Sequence, residues 1–221
     1  MGRTEAAKGI AIALVTAWLA ASATAFAAGI AAATGATAVA TATTSATSTT
    51  SAFDLVQLTA LLGRIKSGEA SFVEKRRVEM LDRTLESSGR LSFRAPDSFV
   101  RETLKPRHEK LEVNGNRLTM SLGERSRSLQ LDAAPEAAVI VEAIRGTLTG
   151  NRESLERLFE SSVAGSAESW SLDLAPRDLR LRGQVASIRL LGRGAAVREV
   201  RVLLADGDRS TMTIEPMAGA P

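Results

Sequence analysis

Short runs of alternating apolar and polar residues, joined by tight-turn signals, constrain this chain most. Leu91 and Phe93 alternate with Ser92 and Arg94, and Leu118, Met120 and Leu122 fall on one face of Arg117–Leu122. Side chains of a strand point to opposite faces in turn, so each run reads as a strand with one buried face. Asn114-Gly115 and Ala205-Asp206-Gly207-Asp208 are hairpin turns, and Pro96-Asp97 is a further turn. Strands are expected at Ala70–Leu81, Thr84–Arg94, Ser98–Leu104, Glu109–Val113, Arg117–Leu122 and Ser128–Leu131. After an interruption they resume around Trp170, Leu172 and Leu174, then at Leu181–Leu191, Ala196–Leu204 and Ser210–Glu215. Sequential strands joined by short turns pair antiparallel.

The helical period appears in two places. Leu55, Leu58, Leu61, Leu62 and Ile65 lie at helical spacing within Phe53–Lys66, and Ser67-Gly68 stops the run. In the interruption, Pro135 opens a helix whose apolar face is Ala138, Val139, Val141, Ile144 and Leu148, and Gly150 closes it. Asn151 caps a shorter helix with Leu155, Leu158 and Phe159 apolar. So few helices, so clustered, do not suit a parallel sheet with crossover helices. A meander of about ten or eleven strands must curl. The expected fold is therefore α+β: a strongly curved antiparallel sheet with helices in its concavity, and an apolar pocket wherever they fall short of filling it.

The amino terminus reads as an export signal. Arg3 and Lys8 precede an apolar run from Gly9, which ends in Ala25-Phe26-Ala27, a small-x-small cleavage pattern. Residues 1–27 are then a signal peptide, and residues 28–52, rich in Ala and Thr, a flexible spacer. The competing reading is an uncleaved inner-membrane anchor, since no charge occurs between Lys8 and Asp54. The domain is expected over residues 53–216, with residues 217–221 a flexible tail.

Composition narrows the chemistry. No cysteine occurs among the 221 residues, which excludes disulfides, thiolate metal sites and a lipid-modified cysteine. His108 is the single histidine, so multi-histidine metal sites are excluded, and the residue itself reads as an ordinary strand position. Net charge is +3, too small to point to nucleic acid. No elbow motif surrounds Ser87-Ser88 or Ser161-Ser162, and Glu74, Glu79 and Asp82 read as a solvated strand. Lys75-Arg76-Arg77 reads as a charged outer sheet face. No catalytic residue, metal or cofactor is expected, and an enzyme is the least favoured class.

A family resemblance rests on several stretches taken in order: EASFVEK at Glu69–Lys75, SGRLSFRAPD at Ser88–Asp97 and VNGNRL at Val113–Leu118. LTGN from Leu148, WSLDLAP at Trp170–Pro176 and Asp206-Gly207-Asp208 follow. This order resembles the LolA-like periplasmic lipoprotein carriers, in a short related branch. The resemblance implies a half-barrel with a helical lid over an apolar cavity that receives acyl chains. It places Phe72, Leu91, Phe93, Phe99, Leu118, Met120, Trp170 and Leu172 in the cavity and Val141, Ile144 and Leu148 on the lid. Phe99 matches the family's cavity phenylalanine.

One departure stands out. The lipoprotein carriers have a lid-latching arginine directly before the proline, where this chain has Ala95; Arg94, one residue earlier, faces the other side of the strand. The function the resemblance implies is a monomeric periplasmic carrier of lipid or lipoprotein acyl chains, fed by an inner-membrane exporter and emptied by an outer-membrane acceptor. The alternative is an envelope binding or sensing module with a filled core that docks on a partner protein.

Overall fold

The computed structural model describes residues 53–79 and 83–217. The signal, the Ala/Thr spacer, Asp82 and the tail beyond Met217 lie outside the described residues. Helix α1 (Leu55–Leu62) is followed by six strands: β1 (Ser67–Val78), β2 (Arg83–Arg94), β3 (Ser98–Lys105), β4 (Glu109–Asn114), β5 (Arg117–Leu122) and β6 (Arg125–Gln130). A 3₁₀ turn (Leu131–Ala133), α2 (Pro135–Thr149) and α3 (Arg152–Leu158) come next. The chain finishes with β7 (Phe159–Ser166), β8 (Ser169–Pro176), α4 (Leu179–Arg182), β9 (Val185–Arg193), β10 (Ala196–Leu204) and β11 (Arg209–Pro216).

All eleven strands join one antiparallel sheet in the order β6-β5-β4-β3-β2-β1-β11-β10-β9-β8-β7. Pairing of β1 with β11, from Ala70 opposite Pro216 to Arg77 opposite Arg209, fuses the two meanders. The sheet is curved and open, with β6 and β7 as its edges. Helix α2 carries the chain from one edge to the other, and its fifteen residues span ~22 Å at the usual rise.

Local signals explain the elements. The Asp54 side chain accepts from Gln57 N at 2.9 Å and caps α1. Pro135 occupies the first turn of α2, where its missing N–H costs nothing. Gly150 ends α2 at φ 68°, in the left-handed region. A Cβ there would stand 2.3 Å from the Thr59 carbonyl oxygen, so the glycine also lets the carboxyl end of α2 lie directly on α1.

The sequence reading differs from the fold in three elements. Phe159–Ser166 is a strand, although its Ser/Gly-rich sequence carries little β signal. Leu181 and Arg182 belong to the short α4, so the following strand starts at Val185. His108 lies outside the strands, in the link between β3 and β4, exposed, with Nε2 2.8 Å from the Glu102 carboxylate.

Candidate functional site

Strand register fixes which side chains face the concavity. Gly68, Phe93, Phe99, Val113, Leu118 and Leu129 form one row across β1 to β6. The next row is Ala70, Leu91, Arg101, Leu111, Met120 and Arg127. The third is Phe72, Gly89, Thr103, Glu109, Leu122 and Arg125. Arg94 is exposed and on the opposite face from Phe93.

Two separate apolar cores hold the helices on this face. The larger joins Leu58, Leu62, Val139, Ala143, Leu155 and Phe159 to Trp170, Leu172, Leu174, Val185, Ile188, Leu190 and the buried valines and leucine of β10. The smaller joins Val113, Leu118, Leu131, Ala134 and Ala137, with Phe99, Leu111, Leu129 and Val141 packed at its margin. Helix α2 bridges them: Ile140 and Leu148 lean on the larger core, Ala138 and Val141 on the smaller.

The eight residues assigned to the cavity from sequence divide into two groups. Phe72, Leu118, Trp170 and Leu172 are buried, at 2%, 0%, 3% and 0% exposure, so protein atoms already cover them. Trp170 is fixed further, because its Nε1 donates to the Gly194 carbonyl at 2.9 Å and its ring occupies the space a Cβ on Gly192 would need. Leu91, Phe93, Phe99 and Met120 are half-buried, and the Phe93 and Phe99 rings stack with centroids 5.0 Å apart. Of the lid residues, Val141, Ile144 and Leu148 are all half-buried on α2. The accessible apolar strip thus lies on the β2–β5 half of the concavity.

A polar network closes the floor behind this strip. Arg101 crosses β2 to donate to Glu74 Oε2 at 2.5 Å, and its guanidinium lies 4.8 Å from the Phe72 ring centroid. Glu74 also accepts from Ser210 Oγ at 2.5 Å and Ser87 Oγ at 3.2 Å. Two residues on, Arg76 Nη2 donates to Asp208 Oδ2 at 2.6 Å, and Asp208 Oδ1 accepts from Glu79 N at 3.0 Å. Glu74 and Arg76 are therefore buried on the inner face, not solvated on an outer one. Charge buried in this way is tolerable only when paired and hydrogen-bonded. Gly89 is part of the same arrangement: a Cβ there would stand 1.9 Å from the Glu102 carbonyl oxygen of β3.

The helix side supplies a tie to the sheet that the sequence reading did not find. Arg145 of α2 donates through Nη2 to the Gly115 carbonyl in the β4–β5 turn at 2.6 Å and through Nη1 to the Glu142 carboxylate. Glu136, in the first turn of the same helix, has its carboxyl pushed above the usual range by burial. A depression of about 190 Å³ is lined by the charged Glu69, Arg90 and Glu102 and by the apolar Leu91, Val100 and Met217. Among the described residues no cluster of His, Asp and Glu could hold a metal ion. No described helix is long and apolar enough to cross a membrane.

Solved structures with similar folds include a LolA superfamily protein from Nitrosomonas europaea, at 9% identity and TM-score 0.39, covering 74% of this chain and 93% of that one. A DUF1329 family protein from Desulfovibrio piger is similar at 9% identity and TM-score 0.44, covering 76% and 93%. LprF from Mycobacterium bovis is similar at 10% identity and TM-score 0.36, covering 76% and 93%. No curated protein matches this chain. The model of the family described as outer membrane lipoprotein carrier protein LolA-like matches residues 45–220, and the chain belongs to that family.

Proposed function

We propose that this protein is a periplasmic carrier that takes up acyl chains of a lipoprotein or another lipid beneath α2 and ferries them between membranes without covalent chemistry. The observation that carries this reading is the half-buried apolar strip Leu91, Phe93, Phe99 and Met120 on the face of the sheet that the helices pack against. Family membership supports a carrier role. Each methylene moved out of water is worth about 0.8 kcal/mol, so an acyl chain does not cross an aqueous space unaided at a useful rate. Lifting the amino-terminal half of α2 would separate Ala134, Ala137 and Val141 from the smaller core and Val139 and Ile140 from the larger one. The carboxyl-terminal half stays seated on α1 through the Gly150 contact.

The amino-terminal stretch that reads as an export signal supports a periplasmic carrier, which an inner-membrane exporter would load and an outer-membrane acceptor would empty. A second reading, a filled-core module that docks on an envelope partner, draws on the close packing around Trp170 and Leu172. Native mass spectrometry of protein purified from periplasm, paired with lipid extraction, separates the two. Co-purifying lipid displaced by added fatty acid is the expected result. Lipid-free protein that takes up no acyl probe would overturn the carrier reading.

A further inference from the structure

Arg101 interrupts an apolar row of the inner face. The row runs Ala70, Leu91, Arg101, Leu111 and Met120, so leucines flank the arginine on both neighbouring strands. Its side chain crosses β2 to reach Glu74 Oε2 at 2.5 Å, with Ser87 Oγ at 3.4 Å. On β2 the inner-face position between Leu91 and Ser87 is Gly89, which puts no side chain in the way. Glu74 holds the bridge in place, since it is buried and also accepts from Ser210 and Ser87. The guanidinium lies over Phe72, 4.8 Å from the ring centroid. Phe72 in turn stands opposite Ile214, which leans on the larger core. The bridge therefore divides the face: Leu91, Phe93 and Phe99 lie on one side of it, Phe72 and Ile214 on the other.

We infer that the Arg101–Glu74 bridge is the end stop of the acyl strip and sets the length of chain that this protein accepts. The inference rests on the carrier reading and adds the feature that selects among chains. Its physical ground is the cost of covering a guanidinium with hydrocarbon. Glu74 and Ser87 engage one terminal nitrogen of Arg101, and the side chain keeps 26% exposure, so water serves its other donors. A methylene pushed against them displaces that water and returns no hydrogen bond. Each methylene laid on Leu91, Phe93 or Phe99 tightens binding about fourfold, whereas one laid on the bridge gains nothing.

The test is displacement of the neutral fluorophore N-phenyl-1-naphthylamine from the purified mature chain by the straight-chain alcohols from octanol to hexadecanol. These carry no charge, so the series varies chain length alone. Affinity for wild type should climb about fourfold per methylene and then level off at a break within the series. Arg101→Met combined with Glu74→Gln removes both charges together, and the break should move out by a few methylenes, onto Phe72 and Ile214. Arg117→Gln, on the opposite face of β5, should leave the break in place. A rise that continues unbroken to hexadecanol in wild type, or a break unmoved in the folded double variant, overturns the stop and leaves the carrier reading standing. If the double variant does not fold, the side-chain Nε–H NMR signal of Arg101 in wild type decides. A shift produced only by alcohols at or beyond the break supports the stop, and a signal that no alcohol shifts overturns it. Failure of the alcohols and the fluorophore alike to bind overturns the carrier reading and this inference together.

Discussion

Arg145 Nη2 on α2 donates to the main-chain carbonyl of Gly115, in the turn between β4 and β5, at 2.6 Å. That contact ties the carboxyl-terminal half of α2 to the β1–β6 half of the sheet, where Ala134, Ala137 and Val141 of the same helix pack on the smaller core. In lipoprotein carriers of the family the resemblance assigns such a latch to an arginine before the strand proline, and here Ala95 stands in that place. In this chain the tie to the sheet comes instead from Arg145 on α2. Arg145→Gln is expected to remove a charge-assisted bond, lowering stability by about 1–2 kcal/mol. Hydrogen exchange should rise in α2 and in the β4–β5 turn, while α1 keeps its protection. Unchanged protection of α2 in the variant would show that Arg145 does not hold the helix to the turn.

The Arg76–Asp208 pair is buried, with both side chains 6% exposed. Removing one partner of such a pair strands a charge in the interior, so Arg76→Met is expected to cost about 3–5 kcal/mol. Adding Asp208→Asn should recover much of that loss, because the amide oxygen can still accept from Glu79 N and no charge remains buried. Urea melts of the single and double variants read this directly. A double variant as unstable as the single one would mean that Arg76 acts through its contacts with the strands around it rather than through Asp208.

How much of this was legible in the sequence varies by residue. Leu91 with Phe93, and Leu118 with Met120 and Leu122, alternate cleanly, and their strands and turns fall where the pattern puts them. Phe159–Ser166 could not be read that way. It is an edge strand of mostly small residues, held by its pairing with β8. The stretch Glu74 to Arg77 is charged at every position, so alternation gives no inner face. Its burial depends on pairing with β11, which brings Ser210 and Asp208 from more than 130 residues away in the chain. The division of the cavity set has the same origin. Periodicity places Trp170 and Met120 alike on apolar faces, and only the helices above them decide which is covered.

Glu136 gives the pH-dependent prediction. It sits in the first turn of α2, where the helix dipole favours its charge, yet burial outweighs this and raises its folded-state pKa. A carboxyl raised in this way binds more protons folded than unfolded. Its contribution to stability is therefore fully present at pH below the ordinary glutamate range and is lost as pH climbs through the raised value. Glu136→Gln removes the penalty. The variant should melt higher than wild type at neutral pH, and the difference should vanish on acidification below the ordinary glutamate range. A difference in melting temperature that stays constant with pH would show that the change acts through packing instead.

Met120 offers the sharpest test of the proposed acyl site. It is half-buried, flanked along its row by Leu111 and Arg127, with Leu118 and Leu122 as same-face neighbours on β5. Met120→Glu puts a carboxylate where an acyl chain would lie. In a filled core that charge would cost several kcal/mol and unfold much of a domain whose whole stability is of order 5–15 kcal/mol. At a half-exposed position water reaches the carboxylate and Arg127 stands opposite, so the fold should survive with a loss of about 1–2 kcal/mol. Leu172→Glu is the contrasting variant, since Leu172 is fully buried in the larger core and should not tolerate the charge. Binding of a fluorescent fatty acid by folded Met120→Glu should fall at least tenfold, from lost apolar contact and from repulsion between the two carboxylates. Thermal melts and probe titrations on the same preparations give both readings. A Met120→Glu protein that melts near wild type and takes up the probe equally well would remove Met120 from the acyl site.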